Sequence, residues 1–258
     1  AAARVGATVQ SIGCIGDDQM GHAMKQAFAK DGIDVSTITT IPNQSTGLAM
    51  IQVADSGENS IVISAGANAD LSVELVEQCQ AQIAQSAVLL MQLESPLQAV
   101  TCAANFAKQA GTQVVLNPAP AQPLPAELLA QVDMITPNET EAEILTGVKV
   151  TDKQSAQQAA DHFHQLGIKT VLITLGSKGV YVSEQGTGEI IEGFRVEAVD
   201  TTAAGDTFNG ALVCGLLEGK TLAQAIRFAH AAAAISVTRF GAQPAIPNRE
   251  EVDKFLAN

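Results

Sequence analysis

The chain has 258 residues, 47% of them hydrophobic and 16% charged, enough apolar content to bury one large core or two small ones. A net charge of −13 argues against nucleic acid or an anionic membrane surface as a partner, and 3% aromatics without any Trp leave no stacking platform for single strands. No apolar run of transmembrane length and no basic signal-peptide start is present, so the expected location is cytoplasmic.

Residues 1–6 read as the last turn of a helix, with helix formers, Arg4 in the final turn and Gly6 as a stop. A lone turn cannot hold itself together, so a missing N-terminal piece is expected. A strand is expected over 7–12 and a helix over 20–30 that stops at Gly32. Two alternating runs, 46–53 and 59–64, joined by the turn-rich 54–58, read as an antiparallel hairpin forming a flap.

A regular strand–helix rhythm follows. A helix is expected over 73–85 with Ser72 as cap, then a short buried strand over 88–93 and a helix over 96–110 with Pro96 near its first position. Further strands are expected at 114–116, 134–136 and 171–174, a helix over 155–166 ending at Gly167, and a hairpin of 180–183 with 189–191. A strand over 194–199 leads into helices at 207–217, 222–237 and 250–256. This order predicts one α/β domain with a mostly parallel sheet covered by helices, and a small β flap that includes residues 45–64.

Ligands of open α/β sheets bind beyond the carboxyl ends of strands. Glu94, Asn117, Asn138, Gly176 and Asp206 all follow expected strands, so the pattern gathers scattered polar residues at one edge.

The most informative stretch is 200–210, Asp-Thr-Thr-Ala-Ala-Gly-Asp-Thr-Phe-Asn-Gly. Ala203, Ala204 and Gly205 let backbone approach a ligand, with N–H groups at a helix start where an anion is favoured. Asp206 would repel a phosphate as a mere cap. It fits a general base that takes a proton from an attacking hydroxyl while the amides hold the transferred charge.

Other groups are less specific. Asn138-Glu139-Thr140-Glu141 opens a helix and is spaced as a capping box, or as a pair organising hydrated Mg²⁺. The 174–179 loop, Thr-Leu-Gly-Ser-Lys-Gly, is a β-turn by composition but lacks Walker A spacing, and Lys178 either touches phosphate or faces water. Gly13, Gly16 and Gly21 depart from the dinucleotide spacing, and Asp17-Asp18 would repel a pyrophosphate. His162 and His164 point to different faces of one helix and read as surface residues. Cys14, Cys79, Cys102 and Cys214 form no CxxC, which disfavours zinc and disulfides.

The 200–210 signature, Met-Gln-Leu-Glu-Ser-Pro at 91–96, Leu-Asn-Pro-Ala-Pro at 116–120, Ile-Thr-Pro-Asn-Glu-Thr-Glu-Ala-Glu at 135–143, the 174–179 loop and Arg-Phe-Ala-His-Ala-Ala-Ala-Ala at 227–234 resemble the ribokinase family of sugar kinases along the whole chain. The resemblance implies a three-layer α/β/α fold and ATP-dependent phosphorylation of D-ribose at O5, with a related sugar or nucleoside kinase or an inactive nucleotide-binding fragment as alternatives.

It implies Asp206 as the base, an anion hole at Ala203, Ala204 and Gly205, and a ribose pocket lined by Glu94, Ala49, Ile51 and Ile63. Asn138, Thr174, Gly176, Ser177, Gly179, Gly205 and His230 would face ATP, and Asn138 and Glu141 would hold Mg²⁺ through water. Asp200 and Thr202, with backbone at Ser236, Arg239 and Gly241, would hold an activating K⁺. Ala245 stands where bacterial members often carry Ser, one hydroxyl fewer for K⁺. A homodimer through the flap is also implied. The family's first strand, with its sugar-binding Asp, and its Gly-Gly-Lys-Gly-x-Asn segment have no counterpart in these residues.

Overall fold

The structure, a computed structural model, describes residues 1–53 and 59–257. The chain divides into two compact units, Ala1–Leu75 with Val196–Asn258, and Val76–Arg195. The turn expected over 54–58 lies outside the described residues.

In the first unit, β1 (Gly13–Gly16) pairs in parallel with β2 (Ile38–Ile41), with α1 (Gln19–Lys30) between them. The strand expected over 7–12 therefore lies at 13–16. Cys14, Ile15 and Gly16 are buried, while the earlier segment adds only an isolated bridge from Gln10 to Asp34. Gly16 is required sterically, because an added Cβ would stand 2.6 Å from the Ser45 carbonyl carbon. Asp18 caps α1 by accepting from the Gly21 amide at 2.8 Å, the structural role its Gly-Asp-Asp context suggests.

The expected hairpin is present: β3 (Leu48–Val53) and β4 (Asn59–Ser64) form a two-stranded antiparallel ribbon with Ala49 opposite Ile63. The helix expected over 73–85 is broken into α2 (Val73–Glu77) and α3 (Gln80–Gln85). A tight bond from the Cys79 amide to the Val76 carbonyl, 2.9 Å, turns the chain so that Val76, Cys79 and Ile83 are all buried.

The second unit is built on a six-stranded sheet. It contains β5 (Val88–Met91), β6 (Gln113–Leu116), β7 (Met134–Ile135), β8 (Thr170–Thr174), β9 (Val180–Glu184) and β10 (Thr187–Ile191), in the order β10–β9–β8–β7–β6–β5. Pairs from β5 to β8 are parallel, and β9 and β10 add an antiparallel hairpin. β5 is the last strand in that order and is half-exposed rather than buried, with Leu90 38% exposed.

α4 (Leu97–Ala110) packs on β5 and β6, and α7 (Lys153–Gln165) on β8, β9 and β10. The short helices α5 (Ala126–Leu129) and α6 (Glu139–Thr146) complete the unit. Pro96 is the N-cap of α4 rather than its first residue, and Gly111 ends the helix left-handed at φ 80°. His164 is more than a surface residue: Nδ1 meets the Ile168 carbonyl and Nε2 the buried Ser183 hydroxyl, each at 2.8 Å.

The rest of the first unit is helical: α8 (Ala204–Leu217), α9 (Leu222–Val237) and α10 (Arg249–Ala257). α8 is buried continuously from Thr207 to Gly215, the behaviour of a core helix that is apolar all round. The strand expected over 194–199 does not form. The amides of Val199 and Asp200 donate instead to the Val237 carbonyl at the end of α9, at 2.7 and 3.2 Å.

Candidate active site

α8 meets solvent at its two ends, and its start is the end that carries the candidate residues. Ala203, its N-cap, is left-handed at φ 59°, ψ 16°, which turns the chain sharply into the helix. The Ala204 amide donates to the Thr201 carbonyl at 3.2 Å. The amides of Gly205 and Asp206 have no helical carbonyl four residues behind them, so they are donors directed out of the helix start. Gly205 and Asp206 are exposed. An added Cβ at Gly205 would meet no protein atom within 4 Å, so protein crowding does not require glycine there. Open space, outward amides and a carboxylate one residue on leave room for an anion beside the Asp206 carboxylate.

That turn is anchored from behind. Asp200 is 9% exposed; Oδ1 accepts from the Thr202 amide and Oδ2 from the Gly241 amide, both at 2.9 Å. The neighbouring Thr202 hydroxyl, then the Gly241 and Thr202 amides, hold the Asp200 carboxyl below the ordinary aspartate range. The Thr202 hydroxyl itself is buried and completes no hydrogen bond of good geometry, so it acts on Asp200 as a nearby dipole.

Arg239 is fixed by Glu251 at 2.6 Å, Gly241 turns at φ +90°, and buried Ser236 donates to the Ala233 carbonyl at 2.8 Å. Asp200, Thr202 and the end of α9 with the following turn to Gly241 are therefore brought together. His230 lies in α9, 9% exposed, with its ring 5.4 Å from that of Phe208.

In the second unit, Glu94, Asn117, Asn138 and Gly176 follow β5, β6, β7 and β8, as expected from the sequence. Glu94 sits on the bend before α4, its amide bonded to the Gln92 side chain. Asn117 Nδ2 donates to the Thr136 carbonyl at 3.0 Å, binding the ends of neighbouring strands.

Asn138 and Glu141 form a full capping box, each side chain accepting from the other's amide at 2.8 Å. Asn138 also bridges Thr174, and Lys178 reaches Glu139 at 3.6 Å, so the 137–141 and 174–179 segments are adjacent. Lys178 is exposed and ion-paired, which leaves its ammonium accessible. Gly176 and Gly179 take positive φ around a tight turn holding Ser177, and a side chain at Gly179 would strike the backbone at 191–193.

Ala49, Ile51 and Ile63 share one face of the ribbon by strand alternation and cross-strand pairing. All three are exposed. Among the described residues no group of three or more His, Cys, Asp or Glu is placed to hold a metal ion. Asn138 and Glu141 are the groups that could hold a Mg²⁺ through its waters, and Asp200 with the buried Thr202 oxygen those that could face a monovalent cation.

Sequence reading missed three supports of these groups. Asp18 binds Thr46 at the base of the ribbon. Thr207 and Asn209 bond back to the carbonyls of Ala203 and Gly205. Glu139 holds Lys178. Only the Asp18 motif carried a signal, its Gly-Asp-Asp turn.

Residues 1–249 match the pfkB family carbohydrate kinase profile. The chain is 61% identical over 256 residues to a ribokinase of Haemophilus influenzae, covering 99% of this chain and 84% of that protein. Its fold superimposes on a ribokinase crystal structure from Thermotoga maritima with TM-score 0.90 at 39% identity, covering 100% of this chain and 84% of that one. It also superimposes on an Arabidopsis thaliana ribokinase complexed with ribose and ATP, with TM-score 0.88 at 34% identity, covering 99% and 84%.

Proposed function

We propose that this chain, which belongs to the pfkB family of carbohydrate kinases, transfers the γ-phosphoryl group of ATP to O5 of D-ribose. The observation that carries the reading is the start of α8, where a left-handed Ala203 launches a buried helix with Gly205 and Asp206 left exposed.

In this reading Asp206 accepts the proton of the ribose 5-hydroxyl as its oxygen attacks the γ-phosphorus. The bond to the ADP oxygen breaks as the new P–O bond forms. The anion hole expected at Ala203, Ala204 and Gly205 holds the charge of the transferred group, with the outward Gly205 amide joined by that of Asp206; the Ala204 amide would have to leave the Thr201 carbonyl to take part. Glu94 and the ribbon face of Ala49, Ile51 and Ile63 are assigned to the sugar. Asn138, Thr174, Gly176, Ser177, Gly179 and His230 are assigned to ATP, with Gly205 shared by its phosphates. The chain is read as a single α/β domain, residues 45–64 being part of its lid.

Asn138 and Glu141 would hold Mg²⁺ through water, and Asp200, Thr202 and carbonyls at Ser236, Arg239 and Gly241 would hold K⁺. Such cations neutralise phosphate charge and stiffen the anion cradle.

The ribbon exposes apolar side chains on both faces, Met50 54% and Val62 56% on one, Ile51 39% and Ile63 51% on the other. This supports a homodimer formed through the lid. The cytoplasm is the proposed location, in keeping with four free cysteines. No described helix is long and apolar enough to cross a membrane.

ADP release measured with ATP, Mg²⁺ and K⁺ against ribose, 2-deoxyribose, fructose and adenosine tests the substrate. The highest kcat/KM is expected with ribose. A preference for another acceptor would reassign the sugar, and ATP binding without turnover would mark a nucleotide-binding protein.

A further inference from the structure

We propose that Asn209 is a positioning residue for phosphoryl transfer, an inference that rests on the reading of Asp206 and the α8 amides given above. Asn209 lies one turn into α8 and is 3% exposed. Its Nδ2 donates to the Gly205 carbonyl at 2.9 Å. That carbonyl and the Asp206 N–H belong to one planar peptide, so tethering the oxygen sets the direction of the N–H. The same tether steadies the backbone that carries the Asp206 carboxylate.

Such a tether is needed where it is found. Gly205 has no side chain to restrict it and stands in open space, so the first turn would otherwise be the loosest part of the helix. Thr207, fully buried, makes the matching bond two peptides earlier, its hydroxyl donating to the Ala203 carbonyl at 2.8 Å. Two inward side chains thus grip the two peptides that flank Ala204 and Gly205.

A second observation separates this role from simple packing. Asn209 Oδ1 is buried and finds no donor among the described residues. A buried acceptor left without a donor destabilises a core, and an apolar residue of similar volume would avoid that penalty. Its nitrogen end faces an acceptor, so exchanging the two ends of the amide offers no relief. An amide retained at this cost in a helix buried from Thr207 to Gly215 is explained by the peptide it orients.

The test compares Asn209→Leu, Asn209→Ala, Asn209→Thr and Asp206→Asn with the parent chain, in ribose-dependent ADP formation and thermal melting. Asn209→Leu is expected to melt at or above the parent while kcat falls about 10- to 100-fold and both KM values stay within about threefold, since misplacing a reacting group by about 1 Å can cost about 100-fold. Asn209→Thr can donate to the same carbonyl through its hydroxyl, as Thr207 does to Ala203, and is expected to recover most of the lost kcat.

Parent-like kcat in Asn209→Leu and Asn209→Ala, with Asp206→Asn inactive, would overturn the positioning role and leave the base standing. Equal losses in the Leu, Ala and Thr variants that track their melting would overturn it in favour of packing. An active Asp206→Asn would remove the reading of the base, and the positioning role with it.

Discussion

Asp18 and Thr46 lie 28 residues apart and are joined twice: Asp18 Oδ1 accepts from the Thr46 hydroxyl at 2.6 Å and Oδ2 from the Thr46 amide at 2.8 Å. The Thr46 hydroxyl in turn accepts from the Gly16 amide at 3.1 Å. One carboxylate thus pins the base of the β3–β4 ribbon to the junction of β1 and α1. With the Thr46 hydroxyl first, then the Thr46 and Gly21 amides, its pKa is pulled down to about 2. A depressed carboxyl stabilises the fold above its unfolded pKa, about 3.9, and that contribution fades as pH falls through about 2. Asp18→Asn should lower Tm at pH 7, and the gap from the parent should narrow between about pH 4 and pH 2. Melting curves across that range check it; a pH-independent gap would count against the linkage.

Ala203 holds φ 59°, a conformation that any Cβ makes unfavourable. Ala203→Gly should be neutral or mildly stabilising. Ala203→Val should destabilise by about 1–3 kcal/mol, because a β-branched side chain is worst in that region. Urea unfolding separates the two, and equal stabilities would contradict the strained turn.

Asn138 and Glu141 carry two roles that substitution can divide. Asn138→Ala breaks the capping box and should cost about 1 kcal/mol of stability, with a raised KM for ATP. Glu141→Gln can keep the box, since glutamine also accepts from the Asn138 amide, but loses its charge. It should fold normally while needing about tenfold more Mg²⁺ for half-maximal rate, roughly 1.4 kcal/mol. An unchanged Mg²⁺ requirement would leave Glu141 as a cap alone.

Asp200 joins the turn before α8 to Gly241. Asp200→Asn keeps an acceptor for one amide but removes the charge that would balance K⁺. Activation by K⁺, measured as the rate ratio with K⁺ and with a bulky organic cation, should fall toward one. An undiminished ratio would move the cation elsewhere.

Helices with clear stops, such as α1 before Gly32 and α4 before Gly111, were readable because capping and periodicity are local properties. The β-ribbon and the parallel order of β5 to β8 followed from alternation and rhythm for the same reason. The failures share a nonlocal cause. Residues 194–199 have strand composition, but their last amide and that of Asp200 are taken by the end of α9. The first strand moved to 13–16 because β2 pairs there, which no pattern within 7–12 could reveal.

The candidate base was legible because a carboxylate in an anion-binding helix start is an unusual local choice. Its supports, Asn209 and Thr207, were not. They act from the buried side of the helix, and only the structure shows which carbonyls they reach.

The most direct test of the central claim is kcat for ribose-dependent ADP formation by Asp206→Asn at saturating ATP, Mg²⁺ and K⁺. Asp206 is exposed, so the variant should melt with the parent while kcat drops about 10²- to 10⁴-fold, the span of a lost general base. A variant that keeps kcat within a few-fold of the parent would contradict the assignment of Asp206 as the base.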